Sequence, residues 1–228
     1  MLADKTILAI IPARGGSKGI KRKNLRMIKD NSLLAHTIRI AKKSRWIDRL
    51  IVSTEDDEIM QHAKEAGAEV PFVRPIELAQ DETTGVEPIL HALTHLPNYD
   101  YVIVLQPTSP LRNASDIDEC LNFIITKNAP ACVSICQSDI HPQWMFAIDS
   151  QQQLQKISSA EMPMRRQDLP LVYHLNGAIY VAKTPWLLQT KTFITNETLA
   201  YVMPKERSID IDNELDLKIA ELVMENFS

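Results

Sequence analysis

TILAIIPARGGSKGIKRKN, residues 6–24, sets two patterns side by side, and the order of the two decides the fold. Its first six residues are apolar without alternation, the signature of a short strand covered on both faces, as in a parallel sheet. The rest carries Gly15, Gly16 and Gly19, half of the six glycines in the chain, interleaved with Arg14, Lys18, Lys21, Arg22 and Lys23. Glycines let a loop turn tightly and bring backbone N–H groups against a ligand. Five cations on one loop repel one another until an anion neutralises them. Polyphosphate meets that need, because Arg offers a two-pronged fork and Lys a compact point charge. The spacing matches neither GxGxxG nor GxxxxGK[ST], and a solvated basic turn would have the same composition.

Outward from this stretch, strand and helix patterns alternate. Residues 32–44 place Leu33, Leu34, Thr37, Ile38 and Ala41 at helical spacing, with Ser32 as N-cap. Strands are expected at 50–54, 69–73, 101–105 (YVIVL), 131–136 and 175–182. Helices are expected at 56–66, ended by Gly67, around 86–93, at 116–126 and at 214–226. Residues 140–172, rich in Gln, Pro and Met with a turn at Asp149-Ser150, read as a hairpin excursion inserted into this pattern. Alternation of this kind predicts an α/β fold with a mostly parallel central sheet. Ligands of such sheets bind at the carboxyl ends of strands, so loops that follow strands are where chemistry is sought.

Composition narrows the class. The chain has 228 residues, 45% hydrophobic and 24% charged, as expected of one soluble globular domain spanning 1–228. Twenty-five basic residues against 29 acidic ones give −4, which argues against a general nucleic-acid binder. No apolar run approaches the ~18 residues of a membrane span, and the N-terminus lacks a cleavable signal pattern. Cys120, Cys132 and Cys136, odd in number and in apolar surroundings, read as reduced thiols and suggest the cytoplasm.

Several further segments carry polar side chains at strand ends. LQPTSPLR (105–112) follows the clearest buried strand, and its prolines stiffen the loop that presents Gln106. Arg112 suits either an anion or the carboxyl end of a neighbouring helix. SIDID (208–212) sets Asp210 and Asp212 at i and i+2, on one side of an extended segment. Such a pair suits Mg²⁺ shared with phosphate oxygens, whereas Asp212 equally suits the N-cap of the last helix. Arg165-Arg166 lies in the excursion, and NGAIY (176–180) opens the 175–182 strand. Six histidines show no metal-ligand spacing, and Cys132 and Cys136 lack partners for zinc.

IPARGGSKGIKRKN, IVST (51–54), RPIELAQD (74–81), LQPTSPLR, NGAIY and SIDID occur in one order across nearly the whole chain. In that order they resemble the CMP-sialic acid synthetase family, the N-acylneuraminate cytidylyltransferases, and relatives that activate legionaminic and similar keto-sugar acids. The resemblance implies a Rossmann-like nucleotidyltransferase fold. It also implies transfer of CMP from CTP to the anomeric hydroxyl of a nonulosonic acid, with release of pyrophosphate. It assigns Pro12, Ala13, Arg14, Asn24, Arg74, Thr83 and Gln106 to the nucleotide. Arg14, Lys18, Lys23 and Asp212 fall to catalysis, and Asp210 and Asp212 to Mg²⁺ or Mn²⁺. Gln106, Arg166, Asn176, Tyr180 and Phe193 fall to the sugar. It further implies a homodimer formed through 140–172, with Arg166 near the partner's site. Activation of a legionaminic, pseudaminic or eight-carbon acid, a metal-dependent glycosyltransferase and a non-catalytic nucleotide-binding domain stand as alternatives. Two departures are visible: His174 stands where some relatives carry arginine, and Phe193-Ile194 where the family often has two aromatics.

Overall fold

The computed structural model describes residues 2, 4–157, 165 and 169–226. Six strands form the central sheet: β1 (Ile7–Pro12), β4 (Arg49–Ser53), β5 (Tyr101–Leu105), β6 (Ala131–Gln137), β9 (Tyr173–Lys183) and β10 (Thr198–Met203). Their order is β10-β6-β9-β5-β1-β4, and only β9 runs against its neighbours. The expected mostly parallel α/β sheet is therefore the architecture.

Burial on both faces explains the unalternated strand sequences. In β1, Ile7, Ala9 and Ile11 join one core cluster while Leu8 and Ile10 join the other, and all five are fully buried. Each such Ile or Leu contributes about 1.5–3 kcal/mol of transfer free energy. Helices α1 (Leu33–Ala41), α2 (Asp57–Glu65) and α4 (Ala114–Thr126) cover the first face. Helices α3 (Glu87–His95) and α5 (Thr184–Thr190) cover the second. The last helix, α6 (Glu214–Asn226), packs with Ile20, Leu111 and Ile211 in a third, smaller cluster.

The helix starts follow from local chemistry. Ser32 accepts from the Ala35 N–H at 3.0 Å, and Asp56 from that of Ile59 at 3.0 Å. Gly67, at φ +85°, closes the turn after α2 in a conformation that favours glycine. The expected strand at 69–73 is absent: only Glu69 bridges to Ile51, and Pro71 removes a donor the ladder would need. Helix α5 and edge strand β10 are additional to the sequence reading, as is a small ribbon of β2 (Met27–Ile28) and β3 (Asn31–Ser32).

The excursion holds the expected hairpin, with β7 (Phe146–Ile148) antiparallel to β8 (Leu154–Lys156). Asp149 Oδ1 accepts from the Gln151 and Gln153 N–H groups at 2.9 Å and so forms the turn. Met162, Met164 and Arg166 lie outside the described residues. The three cysteines are free and buried. Among the described residues, no helix is long and apolar enough to cross a membrane.

Candidate active site

The carboxyl ends of β1 and β5 open onto a cleft of about 950 Å³. The basic loop forms one wall. Arg14 donates to the Ala79 and Gln80 carbonyls at 3.3 and 3.0 Å and pairs with Asp81 at 2.9 Å. Lys18 reaches the same carboxylate at 3.0 Å. These two cations hold Asp81 below the usual carboxylate range, Lys18 more strongly. Arg22 turns away, pairing with Asp56 and Glu58 and so docking the loop on the start of α2. Asn24 is buried and donates to the Arg14 carbonyl at 2.9 Å, fixing the loop's path.

Glu55, just past β4, props this wall from below. Its Oε1 accepts from the Gly15 N–H at 2.6 Å, and its Oε2 accepts from Arg74 at 2.5 Å. Arg74 is buried and Glu55 is nearly so, their side chains 3% and 9% exposed, and Arg74 lines the cleft.

The opposite wall depends on an irregularity in β9. Val133 pairs with Tyr180 but Ile135 with Leu175, so β9 carries a bulge of extra residues opposite Ser134. Asn176 is consumed in holding that bulge. Its Oδ1 accepts from Ser134 Oγ at 2.6 Å and from the Ala178 N–H at 3.2 Å, and its Nδ2 donates to Ser208 Oγ at 2.9 Å. Asn176 is buried behind the cleft wall, where these bonds make it a support of the bulge. The bulge brings Gly177, at φ +71°, against Gln106: a Cβ there would stand 2.8 Å from Gln106 Oε1 and 3.5 Å from Asp210 Oδ2. Arg112 is spent on backbone carbonyls within the sheet end. Fully buried, it donates to the Gln106 and Ala178 carbonyls at 3.2 and 2.6 Å, and desolvation lowers its pKa to about 10. Beyond the bulge, the Tyr180 and Phe193 rings lie 5.7 Å apart on the cleft wall, beside Ile194.

The acidic pair joins the two walls. Residues 208–212 are irregular rather than a strand, yet the alternation holds: Ile211 is buried while Asp210 and Asp212 face outward. The Ile211 N–H donates to the Thr108 carbonyl at 2.8 Å, pinning the segment to the loop after β5. Lys23 donates to the Ile211 carbonyl at 2.8 Å and to Asp212 Oδ1 at 2.9 Å. Asp210 touches solvent, but the cleft walls crowd it. That desolvation raises its pKa, with repulsion from Asp212 adding to it and a Thr108 hydrogen bond opposing it. The N-cap of α6 is Asn213, whose Oδ1 accepts from the Asp216 N–H at 3.1 Å, so Asp212 is free of capping. Two hard oxygen donors crowded into mutual repulsion fit Mg²⁺ or Mn²⁺ shared with phosphate oxygens. Among the described residues, no three His, Cys, Asp or Glu gather as an all-protein metal cage would need.

Of the residues singled out from sequence, Pro12, Arg14, Lys18, Lys23, Asn24, Arg74, Thr83, Gln106, Tyr180, Phe193, Asp210 and Asp212 line this one cleft. Ala13 is fully buried in the core, Asn176 lies behind the wall, and Arg166 lies outside the described residues. Glu55, Asp81, Thr108 and Lys191 were missed. Glu55 and Thr108 follow strands β4 and β5, the positions where a parallel sheet binds ligands, so that rule applied strictly would have found them.

The model of the cytidylyltransferase family matches residues 8–218. The N-acylneuraminate cytidylyltransferase of Escherichia coli O18:K1:H7 is 38% identical over 94% of this chain and 51% of its own. The chain thus spans about half the length of that relative. The CMP-N,N'-diacetyllegionaminic acid synthase of Legionella pneumophila is 34% identical over 96% of each chain. Among solved structures, the CMP:2-keto-3-deoxy-manno-octonic acid synthetase complexed with CTP superposes with a TM-score of 0.73 over 97% of this chain and 99% of that one. At 15% identity it shows the fold alone. With residues 8–218 matched and a relative 34% identical over nearly its whole length, the chain belongs to the cytidylyltransferase family.

Proposed function

We propose that this protein transfers CMP from CTP to the anomeric hydroxyl of a nonulosonic acid of the sialic type, releasing pyrophosphate. The observation that carries the reading is the meeting of the basic loop and the acidic pair, through Lys23 and Asp212, in one cleft. The names of the Escherichia and Legionella relatives supply the substrate class.

In this reading Arg14, Lys18 and Lys23 receive the triphosphate and offset the charge that builds on departing pyrophosphate. Asp81, which now neutralises Arg14 and Lys18, gives them up to that stronger anion. Arg74 and the segment through Thr83 take the pyrimidine, and Gln106, Tyr180 and Phe193 take the sugar. Alignment of the attacking hydroxyl with the α-phosphorus is itself a large part of the rate. Asp210 and Asp212 would hold a divalent ion, which when bound screens phosphate charge and acidifies a bound hydroxyl. One of the two carboxylates takes the hydroxyl proton.

The excursion at 140–172 serves as a homodimer interface within a single domain. Its Ile148, Leu154 and Ile157 are each more than 60% exposed, an apolar surface that a second copy would cover. Three free, buried thiols fit residence in the reducing cytoplasm. The reading is tested by incubating the protein with CTP, Mg²⁺ and a panel of N-acetylneuraminic, legionaminic, pseudaminic and eight-carbon keto-sugar acids. Mass spectrometry should find a CMP-sugar with at least one nine-carbon acid; no CMP-sugar with any member would refute it.

A further inference from the structure

Glu55 holds two separate parts of the cleft with one carboxylate. Its side chain is only 9% exposed. Oε1 fixes the backbone of Gly15, in the basic loop, at 2.6 Å. Oε2 takes the Nη2 and Nε edge of Arg74 at 2.5 and 3.2 Å. The Arg74 backbone is fixed as well, its N–H donating to the Thr54 carbonyl next to Glu55 at 2.9 Å. With one edge of the guanidinium occupied, Nη1 and the second Nη2 hydrogen are left to meet a ligand in the cleft that Arg74 lines. A buried cation paired this way has one orientation, and its fork cannot rotate to suit another partner.

Pyrimidine chemistry makes that orientation selective. Cytosine N3 accepts a hydrogen bond, whereas uracil N3 donates one, so a fixed donor favours the former and meets a like donor on the latter. Leaving buried polar groups unmatched is what makes such discrimination large. We propose that Glu55 is a positioning residue that couples base choice to triphosphate seating: one oxygen aims Arg74 at the base, and the other sets the loop that receives the phosphates. This rests on the CTP reading above.

Calorimetric titration of the whole chain with CTP and with UTP, without acceptor, tests it. The unaltered protein should prefer CTP. Glu55→Gln should weaken CTP binding at least tenfold and reduce the CTP-over-UTP ratio at least threefold, a ratio that a general loosening of the fold would not move. Its KM for the acceptor acid should stay within twofold. If Glu55→Gln does not fold, Glu55→Asp keeps a charge for Arg74 while drawing back from Gly15. It should weaken CTP binding and keep the CTP-over-UTP ratio. CTP affinity and ratio both unchanged in either folded variant would overturn this inference alone. Absence of CTP binding by the unaltered chain would overturn the proposed function and this inference with it.

Discussion

Lys23 and Asp212, 189 residues apart in sequence, are joined by a 2.9 Å ion pair that closes the cleft between its basic and acidic sides. Gly19 seats the loop there as well, since a Cβ on it would stand 2.1 Å from the Asp212 carbonyl oxygen. Lys23 and Asp212 neutralise each other, while Asp81 neutralises Arg14 and Lys18. Under the proposed function, a metal-bound triphosphate offers these groups stronger partners, so binding exchanges internal pairs for external ones.

The acidic pair should matter for turnover and not for folding. Asp210→Asn and Asp212→Asn each remove a charge from a crowded, outward-facing pair, so neither should lower the melting temperature appreciably. Both should cost more than a hundredfold in kcat. Near-normal rates for both at limiting Mg²⁺ would show that the pair holds no essential ion.

Arg14→Ala removes a cleft cation without touching the core. Transition-state stabilisation should fall by about 2–4 kcal/mol, read from kcat/KM for CTP at saturating acceptor. An unchanged CTP dependence would remove the basic loop from the mechanism.

Gly177→Ala puts a side chain at φ +71° and 2.8 Å from Gln106 Oε1. The left-handed backbone costs roughly 1–2 kcal/mol of stability, measured by urea unfolding. Displaced Gln106 should raise the acceptor KM about tenfold and leave the CTP KM unchanged. A CTP effect as large as the acceptor effect would place Gln106 on the nucleotide.

His36 gives the protein an acid-side weakness. Burial, with Arg39, Arg112 and Lys43 nearby, lowers its pKa from 6.5 to about 4. The native state therefore stays unprotonated between those values while the unfolded chain takes up a proton. Stability is fully present above about pH 6.5 and declines as pH falls toward 4. Between pH 7.5 and 5 the loss is about 2 kcal/mol by urea unfolding. His36→Gln should lose less over the same interval, and an equal loss would exonerate His36.

The sheet and its helices were legible because their signals are local. Ser32 and Asp56 cap their helices as serine and aspartate at helix starts do, and β1 and β5 announce double-sided burial by unbroken apolar runs. Residues 69–73 misled because their apolar content outweighed Pro71 in the reading, although the missing donor decides the pairing. Edge strand β10 was missed although Leu199 to Met203 is an apolar run as long as that of β5, and its pairing with β6 is one no local pattern encodes. At the site, charged and glycine-rich segments revealed themselves by composition. Asn176 and Arg112 did not, because their partners are carbonyls and hydroxyls from distant strands that no local pattern encodes. Glu55 hid for the same reason: its two partners lie 40 residues before it and 19 after.

The most direct measurement is pyrophosphate release, followed continuously with the protein, CTP and Mg²⁺ while a nonulosonic acid is added or withheld. Release should require all three small molecules together, stop when the metal is chelated, and match the acid consumed one for one. Release without the acid, or none with any acid of the nine-carbon panel, would contradict the transfer of CMP in this cleft.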